Sequence, residues 1–188
     1  MSRWEPDARG RIALAAMELY SERGFDQTTV AEIAERAGLT ERTFFRHFAD
    51  KREVLFAGQE PFRDLFIPAV VAAPADATPL QAVAAGLYAV ADDFEPRLPW
   101  SRQRQGVIAA NPGLQERELI KLAGLGDAIA AALRGRGVTE PVASLTAQSG
   151  LAVFHVAFAL WVAPDNTRPL RELIGDSLAA LKSVTAGD

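Results

Sequence analysis

The chain has 188 residues, 20 basic and 24 acidic side chains, two histidines and no cysteine, for a net charge of −4. The lack of cysteine excludes disulfide staples, thiolate zinc sites and thiol catalysis together, and is compatible with a reducing cytosol. Nearly half of the residues are apolar, which supplies a hydrophobic core and excludes a disordered chain.

A negative net charge speaks against a nucleic-acid partner, but its distribution softens the objection. Residues 1–52 carry nine basic and nine acidic side chains, so the excess acidity belongs to the remainder. A neutral segment is still no basic patch, and DNA binding must then rest on specific geometry. The start Met1-Ser2-Arg3-Trp4-Glu5-Pro6 has no apolar core like that of a signal peptide. The longest apolar stretch, Gly150 to Ala163, is interrupted by His155 and falls short of the ~20 residues a membrane crossing needs. A soluble, cytoplasmic protein with no membrane partner is expected.

From Asp7 to Arg23 the apolar positions Ile12, Ala15, Ala16, Leu19 and Tyr20 recur at helical spacing behind Pro6, and Gly24 ends the helix. Thr29-Val30-Ala31-Glu32 has the spacing of a capping box, and Val30, Ile33, Ala34 and Ala37 give a second, short helix its apolar face, closed by Gly38. Thr40 caps a third helix from Glu41 to Phe48, with Phe44 and Phe48 four apart on its inner side and Leu39 anchoring its start. Asp50-Lys51-Arg52-Glu53 repeats the cap spacing, so Val54, Leu55 and Phe56 are expected to begin a fourth, longer helix kinked at Pro61. Residues 68–79, with Pro68, Pro74 and Pro79, read as an interruption. Further helices are expected at about 79–95, 97–110, 112–134, 140–163 and 168–183. The class is all-α, about nine helices in total, with residues 1–52 as a three-helix segment and 53–188 as a larger helical bundle.

Two short helices joined by Ala37-Gly38-Leu39-Thr40 match the helix-turn-helix pattern: small Ala34 and Ala37 permit close crossing, and Gly38 makes the turn. With Phe44 and Phe48 buried, the third helix exposes Glu41, Arg42, Thr43, Phe45, Arg46 and His47, able to meet bases and phosphates.

The stretch Ile12–Leu55, with Thr28-Thr29-Val30, Ile33-Ala34, Ala37-Gly38-Leu39, Thr43-Phe44-Phe45-Arg46-His47-Phe48 and Lys51, resembles the DNA-binding segment of the TetR repressor family. A looser likeness follows at Asn111-Pro112-Gly113-Leu114. The resemblance implies a homodimeric, ligand-responsive regulator, most simply a repressor, that holds double-stranded operator DNA. Carried over, it places Thr28 and Thr29 on phosphate, Arg42 and Thr43 on base edges, and Phe45, Arg46, His47 and Lys51 along the DNA backbone, with Thr40 and Glu41 at the helix start beside them. Phe45 stands where the family usually has Tyr, so a hydroxyl-to-phosphate bond is absent. Arg3 is expected to belong to a terminal tail rather than to a minor-groove arm.

Phe62, Phe66, Phe94, Trp100 and Arg104, with the run Phe154-His155-Val156-Ala157-Phe158-Ala159-Leu160-Trp161, are the candidates to line a site for a small, mainly apolar effector, although aromatics at helical spacing are more often plain core. His155 has no companion at metal spacing, and no metal or cofactor is expected. Residues 144–163, apolar nearly all round, and the stripe Leu170, Leu173, Ile174, Leu178 and Leu181 are expected to make a two-helix dimer face, the alternative being that both helices bury these faces in their own subunit. Against an enzyme, Gly124-Leu125-Gly126 lacks a third glycine, Ser149 has no nucleophile elbow, and Asp92, Asp93 and Glu95 read as solvated charges. The alternatives are a helical protein-interaction module that kept the fold without DNA binding and, behind it, an all-α enzyme.

Overall fold

A computed structural model describes residues 7–186, apart from the side chain of Gln59. Pro6 and Arg3, to which the sequence assigned a helix start and a tail, lie outside these residues. Among the described residues the chain is all-α, with nine α-helices, one 3-10 turn and no strand. It divides into two compact units, one of residues up to Gly58 together with Gln103–Glu116, the other of Gln59–Arg102 together with Arg117 onward.

In the first unit, α1 (Ala8–Arg23) is capped by the Asp7 carboxylate, which accepts from the Gly10 amide at 2.8 Å, and buries Ile12, Ala15, Ala16, Leu19 and Tyr20. Gly24 ends it at φ 86°, a left-handed value that costs glycine nothing. Helix α2 (Val30–Arg36) starts on a complete capping box in which Thr29 and Glu32 satisfy each other's amides. Gly38, at φ 67°, turns the chain into α3 (Glu41–His47), whose N-cap Thr40 accepts from the Thr43 amide at 3.2 Å. Residues 51–58 form hydrogen-bonded turns and not the regular start of a fourth helix, although Asp50 does cap them through the Arg52 and Glu53 amides. Val54, Leu55 and Phe56 are buried there as a plug, which is why an apolar run behind a cap reads as a helix.

The second unit opens with α4 (Gln59–Ala72). Pro61 stands in its first turn, where no amide is needed, so it starts the helix instead of kinking it. Pro68 is inside the helix, and the interruption shrinks to residues 73–78. Helix α5 (Pro79–Phe94) carries a second capping box, Thr78 with Gln81, and packs against α4, α8 and α9. Two glycines permit this: a Cβ on Gly86 would lie 2.7 Å from the Phe66 ring of α4, and one on Gly150 of α8 would lie 2.3 Å from Val83 Cγ1. A 3-10 turn at Glu95–Arg97 leads into α6 (Leu98–Ala109), followed by α7 (Pro112–Gly135), α8 (Val142–Val162) and α9 (Leu170–Ala186).

At 21 residues α8 exceeds the apolar run seen in the sequence, and by length and composition alone it could cross a membrane. Its stripe Ala143, Ala147, Gly150, Val153, Ala157 and Trp161 is instead buried in the core that α5 and α9 complete. Burying one large side chain such as Leu or Phe contributes about 1.5–3 kcal/mol, so this helix is a main fastener of the bundle.

Candidate nucleic-acid interface and effector site

Phe44 is 0% exposed and Phe48 3%, their rings 5.7 Å apart, so the inner side of α3 is fixed to the body. Glu41, Arg42, Phe45 and Arg46 are all exposed, and their spacing puts them on one helical ridge. Thr43 and His47 are half-buried on its flank, and the exposed Thr40 begins it. Phe45 keeps 54% of its surface in water, its ring edge-to-face on Phe44 at 81°. The His47 Nε2 is buried with no partner among the described residues, so only part of that ring belongs to the outer surface.

Charge on this unit is sorted by location. Arg36 pairs with Glu18 and Glu22, and Arg23 pairs with Glu32, all between α1 and α2. Hydrogen bonds from Arg36 hold the Glu22 carboxyl below the usual glutamate range, and the Thr29 amide and hydroxyl do the same for Glu32. Arg42 and Arg46 have no ion pair among the described residues. The ridge therefore presents two guanidinium groups with no ion pair among the described residues, while Glu18, Glu22 and Glu32 are engaged between α1 and α2.

Three of the expected contacts are not on that ridge. Thr28 is 1% exposed and its hydroxyl donates to the Gly24 carbonyl at 2.9 Å, whereas Thr29 is exposed at the start of α2 with its hydroxyl inside the capping box. The Lys51 ammonium donates to the carbonyls of Phe25 at 2.8 Å, Asp26 at 3.2 Å and Thr28 at 2.8 Å, and stands 4.5 Å from the Phe25 ring centre. An ammonium has three donors, and all three are used. The buried Tyr20 hydroxyl donates to the Lys51 carbonyl at 2.6 Å, and burial pushes its pKa upward. Lys51 thus clamps the loop that delivers α2, and only its charge remains available to a phosphate.

In the second unit, five of the aromatic candidates meet. Phe62 packs edge-on to Phe154 (5.1 Å, 78°) and Phe94 (5.8 Å, 88°), and Phe94 does so to Phe158 (6.1 Å, 80°). Phe66 lies parallel to Phe62 at 11°. Trp161, 0% exposed, closes the group against Phe94 and Phe158, and its Nε1 has no hydrogen-bond partner among the described residues. The others fall elsewhere. His155 is exposed on the outer side of α8, Trp100 is half-buried on α6, and Arg104 belongs to the first unit, where it donates to the Leu55 carbonyl at 2.7 Å and stacks over Phe56. An open groove of about 440 Å³ lies apart from the rings, between α5 and α9, lined by Gln81, Ala84, Tyr88, Gly175, Leu178 and Lys182.

Sequence reasoning missed Arg102 and Gln103 on α6. Arg102 donates to the carbonyls of Ala163 and Asn166 after the end of α8, and Gln103 donates to Met17 and Ser21 of α1. The polar run Ser101-Arg102-Gln103-Arg104-Gln105 inside a bundle helix was the available signal.

Residues 12–57 match the bacterial regulatory proteins of the tetR family, and residues 77–186 match the MftR C-terminal domain. Among characterised proteins, 82 residues are 39% identical to the HTH-type transcriptional regulator TcmR of Streptomyces glaucescens, covering 44% of this chain and 36% of TcmR. A second stretch of 51 residues is 35% identical to the HTH-type transcriptional activator FasR of Mycolicibacterium smegmatis, covering 27% of this chain and 23% of FasR. The chain thus spans only about a third of the length of TcmR and less than a quarter of that of FasR. Among solved structures, Thermus thermophilus FadR, described as a TetR family transcriptional repressor in complex with lauroyl-CoA, superposes with a TM-score of 0.56 at 27% identity, covering 93% of each chain. The Bacillus subtilis regulator FadR in complex with stearoyl-CoA has a TM-score of 0.63 at 20% identity, over 92% of this chain and 96% of its own, a likeness of fold.

Proposed function

As this chain belongs to the TetR family of bacterial regulatory proteins, with an MftR-type C-terminal domain, we propose that it is a cytoplasmic transcriptional repressor that binds operator DNA as a homodimer and lets go when a small, mainly apolar effector enters its bundle. The observation that carries the reading is the ridge of α3, where Arg42 and Arg46 stand unpaired beside Glu41 and the exposed Phe45 while Phe44 and Phe48 hold the helix from behind. Arg42 and Thr43 contact base edges, Arg46 and the partly buried His47 contact phosphate, and Phe45 packs on sugar or a thymine methyl. Thr29 presents the amide end of α2 to a phosphate, and Thr28 and Lys51 hold that end in place.

A helix of seven residues reads few bases, and two readers about one DNA turn apart supply the missing affinity. The outer face of α8 favours such pairing: Val142, Leu145, Val156 and Leu160 are all about half exposed or more, a stripe that a second copy would cover. The aromatic group of the second unit, built by Phe62, Phe66, Phe94, Phe154 and Phe158, is the effector site. The lever is α6 rather than α4 with Pro61: residues of α6 belong to both units, whereas α4 is separated from the reader by the turns of 51–58. No part of this scheme needs catalysis.

Gel-shift titration against the DNA upstream of its own gene is the direct trial: a dimer complex is expected whose affinity falls steeply with salt as phosphate-bound counterions return. Failure to bind any such fragment at low salt would defeat the reading. Binding with no salt dependence would favour a protein-interaction module, the rival that the neutral first 52 residues support.

A further inference from the structure

We infer that the effector carries a hydrogen-bond acceptor on a planar aromatic body, an aromatic ketone or its like, and that its acceptor meets the indole N–H of Trp161. The inference rests on the effector site just proposed and adds the chemistry of its occupant.

Trp161 is the observation that demands it. Its side chain is fully buried, and Nε1 finds no acceptor among the described residues. Buried indole N–H groups ordinarily have a partner, because burying the donor forfeits its bond to water and only another acceptor returns it. Among the described residues the rings packed on this indole are phenylalanines, Phe94 at 6.2 Å and Phe158 at 5.7 Å, and neither can accept a conventional hydrogen bond. The nearby polar side chain of Asn166 is turned to the main chain instead: its amide group donates to the carbonyls of Trp161 and Arg168, and its oxygen accepts from the Arg168 amide. A ligand acceptor placed here would supply the bond that no described residue gives to Nε1.

The rings decide the rest of the ligand. Phe62, Phe94, Phe154 and Phe158 contact one another mostly at 78–88°, a herringbone that offers both ring faces and ring edges. A flat aromatic guest that displaces Phe62 keeps this alternation of face and edge, whereas an alkyl chain supplies area without it. Phe62 and Phe66 are stacked on α4, and the Phe66 ring rests on Gly86 of α5, so a guest that displaces Phe62 enters where α4 meets α5.

The native 188-residue chain, ¹⁵N-labelled at tryptophan, is titrated with 2-acetylnaphthalene, with 2-ethylnaphthalene, which has the same shape without the acceptor, and with dodecanoate. The Trp161 indole resonance is assigned by its loss in Trp161→Phe. The ketone is expected to bind about tenfold more tightly than the hydrocarbon and to move the indole proton downfield, and in Trp161→Phe the preference is expected to vanish. Equal affinity of ketone and hydrocarbon for the native chain, a stationary indole signal at saturation, or binding of dodecanoate in preference to both would overturn the inference. The two native-chain comparisons decide it even where the variant does not fold. The parallel gel shift separates the failures: an operator complex with no ketone preference sinks the effector chemistry alone, and no operator complex sinks the regulator reading.

Discussion

Arg102 and Gln103 are adjacent on α6, yet their side chains serve different compact units: Arg102 donates to the carbonyls of Ala163 at 2.8 Å and Asn166 at 3.0 Å, and Gln103 to Ser21 Oγ at 2.6 Å and the Met17 carbonyl at 3.3 Å. Because Asn166 also holds the Trp161 carbonyl, the end of α8 that carries the indole is tied to α6 by two consecutive hydrogen bonds. Arg102→Ala leaves carbonyls unsatisfied at a cost of about 1–3 kcal/mol. Hydrogen exchange checks the division: Arg102→Ala is expected to speed exchange in residues 163–170 and leave α1 protected, while Gln103→Ala does the reverse. Equal loosening of both regions by either variant would contradict it.

Arg42 and Arg46 are exposed and make no ion pair among the described residues, so their removal touches little of the folded state. Each alanine variant is expected to keep its stability within about 0.5 kcal/mol. Taking one guanidinium away from the DNA phosphates is expected to lower the slope of log affinity against log salt by about one. If Arg42 reads a base, Arg42→Ala also narrows the gap between operator and random DNA, which competition gel shifts measure.

Lys51 behaves differently. Replacing it with Met removes the ammonium from three carbonyls while keeping most of its length, and the Phe25–Thr28 loop loses its clamp. An expected loss of about 2 kcal/mol or more follows from leaving these acceptors without their charged donor. Denaturant unfolding of Lys51→Met beside Arg46→Ala tests the contrast: a loss of stability confined to Lys51→Met supports the clamp, and two equally stable variants would refute it.

Gly150 is required by proximity. An alanine there places Cβ 2.3 Å from Val83 Cγ1, so α8 must move from α5 or Val83 must leave its rotamer. Gly150→Ala is expected to cost about 1–3 kcal/mol in thermal unfolding. The double variant Gly150→Ala, Val83→Ala is expected to recover part of that loss; additive losses would show that the clash lies elsewhere.

The capping box makes the reader sensitive to acid. Glu32 has its pKa lowered on folding, chiefly by the Thr29 amide, so its contribution is complete above the unfolded glutamate value and disappears as pH falls through the lower folded one. Glu32→Gln keeps an acceptor for that amide and removes the titration. Melting curves between about pH 6 and pH 3 are expected to fall less steeply for the variant than for the native chain. Parallel slopes would place the acid sensitivity in other carboxylates.

The three-helix reader could be read from the sequence because its rules are local. Thr29 and Glu32 lie three residues apart, Thr40 and Thr43 likewise, Gly24 and Gly38 stand where the backbone turns left-handed, and Phe44 and Phe48 share a helical face; each signal is complete within one or two turns. The fourth helix was misplaced for the same reason. Asp50 caps a turn as it would cap a helix, and nothing within four residues reveals that Val54, Leu55 and Phe56 are held as a buried plug.

From the sequence alone came the all-α class, the helix-turn-helix, the polar ridge of α3 and the aromatic inventory of the bundle, since periodicity and caps need no knowledge of distant neighbours. Only the tertiary structure decided that Lys51 faces inward to three carbonyls, that Thr28 is buried, that Arg104 joins the reader rather than the rings, and that the Trp161 donor has no acceptor among the described residues. Each of these depends on how the whole chain packs, and whether a polar group meets its partner is a property of the packed chain that no short window contains.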